Sequence, residues 1–570
     1  MPRFVLFINH IKLTIGGIML WRHEVAPLIL PLGHYLTGVQ RRLAALHARF
    51  VAGTLPAAPT LRFARCVGDG GLKSALRIAT QRRRADFSPP PCWRPGGVGS
   101  VTVTSLSFRG RIGLFPGMKG SDAMRGLAWV IGAAMVLGMA REAPAQPATT
   151  DPLAKIGHIV VIFEENRSFD TLFGDFPGAN GRANAGDNAI QIGADGKPYA
   201  TLPPVFDAYQ KKLDPRFPAN LPNAPFDIGQ FVPENQNTPD LVHRFYQEQM
   251  QINGGAMNRF AEVSDAAGLA MGYYNMHDSH LWKLAREFTL GDAMFHSAFG
   301  GSFLNHTFLV CSCALRWPEA PDKIVAKVDA SGRMVKDGQV TPDGDAVNTS
   351  QSVYLHNPKY TDEALLVPPQ TLPHIGDRLD AKGVSWKWYS GGYDNAMAGH
   401  PDKLFQYHHQ PLAYFRDLAP GTPAQRAHLQ DYTDLLRDIA QNSLPPVVFY
   451  KPIGEFNLHP GYADVTDGDV HLGEIVAKLQ ASPAYADMLI IITSDENGGL
   501  WDHVAPPRRD KWGPGTRIPL IVVGPTVKRG YVDHTPYDFG SILRTIEVRF
   551  GAEPVAEPDA NAYAMRNMLR

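Results

Sequence analysis

The stretch IVVIFEENRSFD, residues 159–170, decides the fold. Five apolar residues end abruptly in the carboxylate and amide side chains of Glu164, Glu165 and Asn166. A buried strand that delivers polar ligands at its carboxyl end has this pattern, because that end of a parallel sheet borders a crevice. The stretch therefore predicts a central strand that leads directly into a functional site.

The same design occurs near the other end of the chain, in LIIITSDENGG at residues 489–499. Two apolar strands that each end in adjacent oxygen-bearing side chains predict one shared hard-cation site, for which Mg²⁺, Ca²⁺, Mn²⁺ and Zn²⁺ are all suitable ions. Each pair alone could equally cap a helix or a turn, and finding two pairs favours metal binding. The predicted ligands are Glu165, Asn166, Asp495 and Glu496. Glu165 and Asn166 can reach one ion only if the chain turns between them.

Apolar runs alternate with helix-like stretches from about residue 155 onward. The strand candidates are Ile156–Phe163, Val384–Tyr389, Val447–Tyr450, Met488–Thr493 and Ile518–Val523. The helix candidates are Tyr273–Phe288, Pro373–Lys382, Gln425–Gln441, His471–Leu479 and Gly540–Phe550. Strands that are apolar on both faces and separated by helices indicate an α/β fold with a largely parallel sheet. Two long Pro-, Gly- and Asn-rich insertions are expected to wall the site: Phe176–Asn237 and Pro318–Val367.

A candidate nucleophile lies in GGSFLNH, residues 300–306. The two glycines permit a tight turn, and Ser302 then begins an apolar run with helical character. A serine at a helix N-terminus faces free N–H groups that suit an anionic phosphate, and metal coordination can activate its hydroxyl. Ser302 considered alone would be an ordinary helix cap.

Histidines supply further candidates, because imidazole can hold phosphoryl oxygens or protonate a leaving group. Most of the 20 histidines should be structural or exposed, so each assignment is weak by itself. His459 follows the Val447–Tyr450 strand, on the side of the sheet where a site is expected. The candidates are His243, His408, His409, His459 and His503.

The neutral net charge hides an asymmetry between two parts of the chain. Residues 1–117 contain 16 Lys and Arg against 3 Asp and Glu, whereas residues 118–570 contain 39 against 52. The acidic majority gives no sign of nucleic-acid binding, which needs a basic face. At the junction, a basic start at Met118 or Met124, an apolar stretch at 126–140 and Ala143-Pro144-Ala145 form a signal-peptide pattern.

The domain organisation follows from that junction. We expect residues 1–117 to be a basic extension outside the natural product, 118–145 to be a signal peptide ending near Ala145, and 146–570 to be the catalytic domain. The alternative for residues 1–117 is a genuine N-terminal domain or anchor. A periplasmic or secreted location follows from the signal peptide. Cys311 and Cys313 are interpreted as two buried thiols, since so short a spacing strains a disulfide.

Five motifs together resemble a known bacterial family: residues 163–170, 253–257, 300–302, 456–460 and 494–499. The chain is similar over about residues 155–550 to the phosphoesterase family that unites non-haemolytic-type phospholipases C with respiratory-burst-inhibiting acid phosphatases. The resemblance implies an alkaline-phosphatase-like α/β/α sandwich with a largely parallel central sheet and long inserted loops. It also implies one divalent metal ion.

The resemblance carries site roles onto matching positions of this chain. The implied metal ligands are Glu165, Asn166, Asp495, Glu496 and Ser302, with Ser302 as the nucleophile. The residues implied to surround the phosphate are His243, His408, His409 and His459. The family typically has aspartate where Glu496 stands here, which leaves its mode of coordination open.

The branch of the family determines the expected substrate. The phospholipase C branch usually has threonine in a Gly-Pro-Thr setting, whereas this chain has Gly300-Gly301-Ser302 followed by Leu304-Asn305-His306, similar to the acid phosphatase branch. The favoured expectation is a secreted acid phosphatase that hydrolyses phosphate monoesters through a phosphoserine. The alternatives are a phospholipase C, which would contact lipid transiently, and a secreted metal-binding protein without catalysis.

Overall fold

The computed structural model describes residues 151–359 and 362–570. The predicted extension at 1–117 and signal peptide at 118–145 lie outside the described residues. No helix in the described ranges combines the length and apolar character needed to cross a bilayer.

The strands, in chain order, are β1 (His158–Glu164), β2 (Phe206–Asp207), β3 (Lys212–Leu213), β4 (Phe226–Asp227), β5 (Gly272–Tyr273), β6 (Thr289–Phe295), β7 (Leu315–Arg316), β8 (Lys327–Val328), β9 (Met334–Lys336), β10 (Asp345–Ala346), β11 (Gln351–Ser352), β12 (Leu366–Val367), β13 (Trp386–Ser390), β14 (Leu429–Asp431), β15 (Val447–Lys451), β16 (Met488–Ser494), β17 (Arg517–Val523) and β18 (Tyr531–Asp533). The helices are α1 (Phe169–Phe173), α2 (Phe245–Ile252), α3 (Phe260–Val263), α4 (His280–Glu287), α5 (Ser302–Cys311), α6 (Ile375–Asp380), α7 (Tyr393–Met397), α8 (Pro423–His428), α9 (Tyr432–Ala440), α10 (Val465–Ala481), α11 (Phe539–Phe550) and α12 (Glu557–Ala560).

Eight strands form the central sheet, in the order β14-β13-β15-β1-β16-β17-β6-β18. Among these eight, β17 runs antiparallel to both neighbours, and the other pairs are parallel. Every residue of β16 and β17 is buried, as expected of strands covered on both faces. The predicted largely parallel α/β sheet is therefore confirmed.

The helices form two groups. Helices α5, α6 and α11 pack against one another, and α4 packs against α10. Phe163 of β1 makes edge contacts with His306 of α5 and Phe539 of α11, which places that group on one face of the sheet. Sheet and helix groups together give an α/β/α architecture.

The five strand candidates all correspond to strands of this sheet, displaced by two residues or fewer at most ends. Three helix candidates were wrong in extent. The His471–Leu479 candidate begins six residues late, because the Asp464 side chain caps the helix before Val465 by accepting from the Asp467 N–H. The Tyr273–Phe288 candidate contains a helix only from His280, because the Ser279 side chain caps its start by accepting from the Trp282 N–H. The Gln425–Gln441 candidate is interrupted by β14, where Leu429 pairs with Trp388 of β13.

The two long insertions carry short strands and reach segments beside the candidate histidines. Asn237, at the end of the first insertion, donates a hydrogen bond to the Gly461 carbonyl, two residues after His459. In the second insertion, the Asn348 side chain accepts a hydrogen bond from the Phe245 N–H, two residues after His243. Both insertions therefore contact chain segments that flank the site.

The cysteine interpretation was wrong. Cys311 and Cys313 are joined by a disulfide instead of remaining thiols. Cys311 is the last residue of α5, and Ser312 adopts a left-handed conformation with φ of 48°. That turn brings two cysteines only two positions apart within bonding distance.

Candidate active site

The end of β1 and the loop after β16 form the floor of the site. Asn166 has a φ of 50°, which supplies the turn that lets Glu165 and Asn166 approach one point. Its N–H donates to Asp495 Oδ1 at 3.1 Å. Gly498 packs so closely that a Cβ there would lie 2.5 Å from the Asn166 carbonyl oxygen. The two predicted ligand pairs are thus held against each other by main-chain contacts.

Ser302 lies at the N-terminus of α5, facing these side chains. Its Oγ is 3.3 Å from Glu165 Oε2, 3.3 Å from Asn166 Oδ1 and 3.5 Å from Glu496 Oε1, and Ser302 is buried. The structure brings together the five residues that the sequence predicts as metal ligands. Their oxygens come from three segments that are far apart in the chain.

The two glycines before Ser302 are required by close packing. Gly300 has a φ of +89°, and a Cβ at that position would lie 2.4 Å from the Phe245 nitrogen. A Cβ at Gly301 would lie 2.6 Å from the His243 carbonyl oxygen. The pair therefore allows the nucleophile turn to fit against the segment that carries His243.

The carboxylates of Asp495 and Glu496 each have one oxygen fixed by main-chain N–H groups. Asp495 Oδ1 accepts from the N–H groups of Asn166 and Glu496, and Glu496 Oε2 accepts from the Gly498 N–H. Asp495 Oδ2 has no hydrogen-bond partner among the described residues, and Glu496 Oε1 faces Ser302. One oxygen of each carboxylate is therefore available for a ligand.

Burial makes this cluster of carboxylates costly without a cation. Burial, with the charge of Glu165, raises the pKa of Asp495 to about 7. Burial and the charge of Asp495 hold the pKa of Glu496 well above its usual range. Both effects arise because converging anions are unfavourable in a low-dielectric environment. A divalent cation would remove this penalty, so the donor set fits a hard metal ion.

Three histidines share one orientation. The Nδ1 atoms of His243, His306 and His459 lie against the carbonyl oxygens of Leu241, Ser302 and Pro460 respectively. A carbonyl can only accept, so Nδ1 carries the hydrogen in each ring. In a neutral ring, Nε2 then presents a lone pair, the arrangement typical of metal-binding or proton-accepting histidines.

The Nε2 atoms of these rings point toward the carboxylates. His243 Nε2 is 3.9 Å from Glu496 Oε1 and His459 Nε2 is 4.0 Å from Glu165 Oε2. His306 Nε2 is buried without a hydrogen-bond partner among the described residues. Burial holds the pKa of His306 and of His459 well below the usual range, so these rings are neutral near pH 7.

His409 and His408 complete the histidine cluster. His409 Nε2 lies 2.9 Å from Glu165 Oε1, and its ring stacks on that of His306 with centroids 5.0 Å apart. His408 lies behind it, 4.5 Å from His409 between ring centroids, and burial lowers the pKa of His408 to about 4. The potential ligand atoms of Glu165, His306 and His409 all lie within 4.8 Å of one another.

One predicted histidine, His503, lies outside this cluster. His503 bonds through Nδ1 to Asp170 Oδ2 at 2.6 Å, within a buried network that contains the Arg517 guanidinium. Arg517 also pairs with Asp502, so its positive charge already compensates these carboxylates. The structure places His503 in this network instead of beside Ser302.

Sequence reasoning missed Lys451. Its ammonium group is fully buried, pairs with Glu165 Oε1 and donates to the Glu164 carbonyl at 3.1 Å. It is the last residue of β15, one position beyond the predicted strand. The signal in the sequence that could have identified Lys451 is its position directly after the apolar run of a predicted strand.

A brace behind the nucleophile was also missed. Glu248 of α2 accepts hydrogen bonds from the Gly300 N–H at 2.5 Å, the Thr516 N–H at 2.8 Å and the His296 ring at 2.9 Å. The Asn305 side chain, one turn into α5, bonds to the Ala298, Gly300 and Gly301 carbonyls. These contacts fix the turn before Ser302. No local sequence pattern predicts them.

Known proteins are similar to this chain over most of its described residues. A family model described as "Phosphoesterase family" matches residues 156–553. The non-hemolytic phospholipase C of Pseudomonas aeruginosa is 25% identical over 449 residues, which cover 72% of this chain and 56% of that enzyme. The phospholipase C B of Mycobacterium tuberculosis is 26% identical over 467 residues, covering 72% of this chain and 76% of that protein. The chain thus spans little more than half the length of the Pseudomonas protein.

Among solved structures, a protein in the alkaline phosphatase superfamily from Vibrio parahaemolyticus matches 59% of this chain and 75% of its own, with 10% identity and a TM-score of 0.27. A phosphonate monoester hydrolase from Silicibacter pomeroyi matches 51% of this chain and 71% of its own, with 12% identity and a TM-score of 0.26. Scores at this level carry no weight for the fold, which rests on the order and direction of the strands.

Proposed function

This chain belongs to the phosphoesterase family, and from that premise we propose that it is a metal-dependent phosphoric ester hydrolase with Ser302 as its nucleophile. The observation that carries the proposal is the position of Ser302 Oγ, within 3.5 Å of side-chain oxygens from Glu165, Asn166 and Glu496. The cap position of α5 is occupied by Gly301 and not by Ser302, so the Ser302 hydroxyl does not serve as the cap of this helix.

We propose that the five oxygen-bearing residues hold the ion, with Asp495 and Glu496 each giving one oxygen. When bound, a divalent ion would supply Lewis-acid stabilisation of phosphoryl charge and lower the pKa of a coordinated hydroxyl. The ion would be hard or borderline in character, since carboxylate, amide and hydroxyl oxygens are joined by nearby imidazole nitrogens. The proposed set is Glu165, Asn166, Asp495, Glu496 and Ser302.

The residues of the chain then divide the reaction into two transfers. Ser302 Oγ gives its proton to a neutral imidazole of the cluster and attacks phosphorus. An oxygen–phosphorus bond forms at the serine, the bond to the leaving oxygen breaks, and the imidazolium passes the proton to that oxygen. The N-terminus of α5 would favour the negative charge that develops on the phosphoryl oxygens, and the Lys451 ammonium would compensate the charge of Glu165 beside it. Water then cleaves the serine ester and regenerates the hydroxyl.

The histidines manage the protons in this scheme. Because Nδ1 of His459 faces the Pro460 carbonyl, its neutral ring offers a lone pair at Nε2. His459 is therefore suited to accept a proton from the attacking water in the second transfer. It can protonate the leaving oxygen only after gaining a proton, which an anionic substrate would favour by raising its lowered pKa.

For the substrate, we propose a phosphodiester of the phospholipase C class. The support is that phospholipases C are similar to this chain over 72% of its length. A second candidate, an acid phosphatase acting on monoesters, is favoured by the Gly300-Gly301-Ser302 sequence. Burial lowers the pKa of His408 to about 4 and that of His459 well below its usual range, so neither of these imidazoles is protonated near neutral pH.

Two chromogenic esters separate these candidates. Metal-loaded protein is assayed on p-nitrophenyl phosphorylcholine, a diester, and on p-nitrophenyl phosphate, a monoester. Faster turnover of the diester supports the phospholipase C class, and faster turnover of the monoester supports the phosphatase. Failure to cleave either ester would refute both and leave a metal-binding protein without catalysis. Retention of activity by Ser302→Ala, with folding checked by circular dichroism, would refute the nucleophile assignment.

We also propose that the chain is exported and cleaved near Ala145, on the strength of the basic, apolar and Ala-Pro-Ala segments between residues 118 and 145. N-terminal sequencing of protein recovered from the periplasm or medium should begin near Gln146. A sequence that begins at residue 1 would refute the signal peptide.

A further inference from the structure

An exposed hairpin projects from the insertion that reaches the site. Strands β2 and β3 pair Phe206 with Leu213 and Asp207 with Lys212, and the turn between them consists of residues 208–211. Tyr209 at the turn has 95% of its surface exposed, and Leu213 has 55% exposed. Lys211 and Lys212 between them are also exposed. We call this segment the 206–213 hairpin.

This hairpin concentrates apolar exposure. Six large apolar side chains are exposed in the described residues, and Tyr209 is the most exposed of them. Two of the six lie on these eight residues, next to two lysines. An aromatic ring at the turn, two lysines beside it and an exposed leucine at the base of the hairpin form a surface that a lipid headgroup region accommodates. The ring enters the interface, and the ammonium groups meet lipid phosphates.

The first link between the hairpin and the site leads to His243. The Phe206 N–H lies against the Ala266 carbonyl. Asp265, which directly precedes Ala266, accepts a hydrogen bond through its side chain from the Val242 N–H at 2.7 Å. Val242 directly precedes His243. Two hydrogen bonds therefore join the base of the hairpin to the segment that carries this histidine.

A second link leads to His459. Asp214 follows the hairpin and its N–H donates to the Val205 carbonyl, which closes the hairpin base. Asp214 pairs with the Arg216 guanidinium, which also donates to the Asn237 carbonyl at 3.1 Å. The Asn237 side chain in turn donates to the Gly461 carbonyl, next to Pro460 and His459. The hairpin is thus linked on two sides to the chain segments that carry His243 and His459.

We propose that the 206–213 hairpin docks the enzyme on a phospholipid bilayer, with Tyr209 and Leu213 in the headgroup region and Lys211 and Lys212 on lipid phosphates. The two links would hold the Ser302 site beside the membrane surface, so that a headgroup could enter it while the acyl chains stay in the bilayer. The inference rests on the proposed phospholipase C function. It identifies the bilayer as the partner of that same site.

The test uses the full chain and vesicles of phosphatidylcholine, with or without phosphatidylglycerol. Tyr209→Ser combined with Leu213→Ser should weaken co-sedimentation with both vesicles by about tenfold or more, because apolar insertion is lost. Lys211→Gln combined with Lys212→Gln should weaken binding to the anionic vesicles by about tenfold at low salt and have less effect on pure phosphatidylcholine. Tyr563→Ser, which removes another exposed aromatic residue, should bind like the unaltered chain.

Hydrolysis separates failure of this proposal from failure of the proposed function. The Tyr209→Ser, Leu213→Ser variant should cleave soluble p-nitrophenyl phosphorylcholine at the unaltered rate while losing activity on vesicle lipid. If it binds and hydrolyses vesicles like the unaltered chain, or if the unaltered chain does not bind vesicles, the docking surface is refuted. If vesicle binding depends on the hairpin but no lipid is cleaved, the docking surface stands and the phospholipase function is refuted.

Discussion

Removal of the metal ion should destabilise the protein in a manner that depends on pH. In the ion-free fold, burial and Glu165 raise the pKa of Asp495 from 3.8 to about 7. The folded carboxyl therefore keeps its proton over a range where the unfolded chain has lost it. With a raised acid pKa, ion-free stability is greatest below about pH 4 and is lost progressively as the pH rises toward 7.

The magnitude follows from the shift. Each pH unit of difference in pKa corresponds to about 1.4 kcal/mol, and the folded carboxyl is half ionised at pH 7, so Asp495 alone costs the ion-free fold about 2 kcal/mol between about pH 5 and pH 7. Glu496, whose pKa is also raised, adds in the same direction. Bound metal requires ionised carboxylates, so the loaded protein escapes this loss. The difference in melting temperature between loaded and stripped protein should widen by about 2 °C or more over that range, because a chain of this size has a large entropy of unfolding.

The assay compares thermal unfolding of metal-loaded and chelator-stripped protein in chelator-free buffers at the two pH values. Asp495→Asn provides the matched control, because an amide cannot ionise and the stripped variant should lose the part of the pH dependence that Asp495 supplies. A melting difference that is absent, or that is equal at both pH values, would refute the idea that these carboxylates form a cation site.

Three further predictions concern single side chains. Glu248→Gln should lower kcat by about tenfold or more with little change in KM, because an amide nitrogen would face N–H groups such as that of Gly300 and release the nucleophile turn. Steady-state kinetics measure this change, with folding checked by circular dichroism. An unchanged kcat would contradict the role of Glu248 in holding the turn. Gly301→Ala should also lower kcat by about tenfold or more, since the added Cβ would lie 2.6 Å from the His243 carbonyl oxygen. Full activity of this variant on p-nitrophenyl phosphorylcholine would show that the close packing has no catalytic role. Glu547→Gln should stabilise the fold more at about pH 8 than at about pH 5. Burial raises the Glu547 pKa to about 8, so the stability that this carboxyl contributes to the fold is lost as the pH rises from about 4.5. Thermal unfolding that shows no difference between the two pH values would contradict this prediction.

The central strands could be predicted because their continuous apolar composition predicts burial on both faces. Residues 159–163 and 489–492 are continuous apolar runs, and both are core strands of the sheet. The oxygen ligands were predictable for a related reason. In a parallel sheet, polar residues directly after two such strands emerge at the same edge, and β1 and β16 are adjacent and parallel.

Features set by distant pairing could not be predicted. Leu429–Asp431 has the sequence of a helix interior but becomes β14, because it pairs with Trp388–Ser390 at the edge of the sheet. The Glu248 brace joins α2 to the turn before Ser302 across more than fifty residues. Local propensity carries no information about such contacts. The disulfide between Cys311 and Cys313 depended in the same way on the left-handed turn at Ser312.

The most direct test of the account is chemical trapping at Ser302. Metal-loaded protein is mixed with p-nitrophenyl phosphorylcholine or p-nitrophenyl phosphate, quenched in acid during turnover, digested and examined by mass spectrometry. The account predicts that the peptide containing Ser302 carries the phosphorylcholine or phosphoryl group of the substrate, and that Ser302→Ala carries none and does not turn over. An active Ser302→Ala variant, or an adduct on another residue, would contradict it.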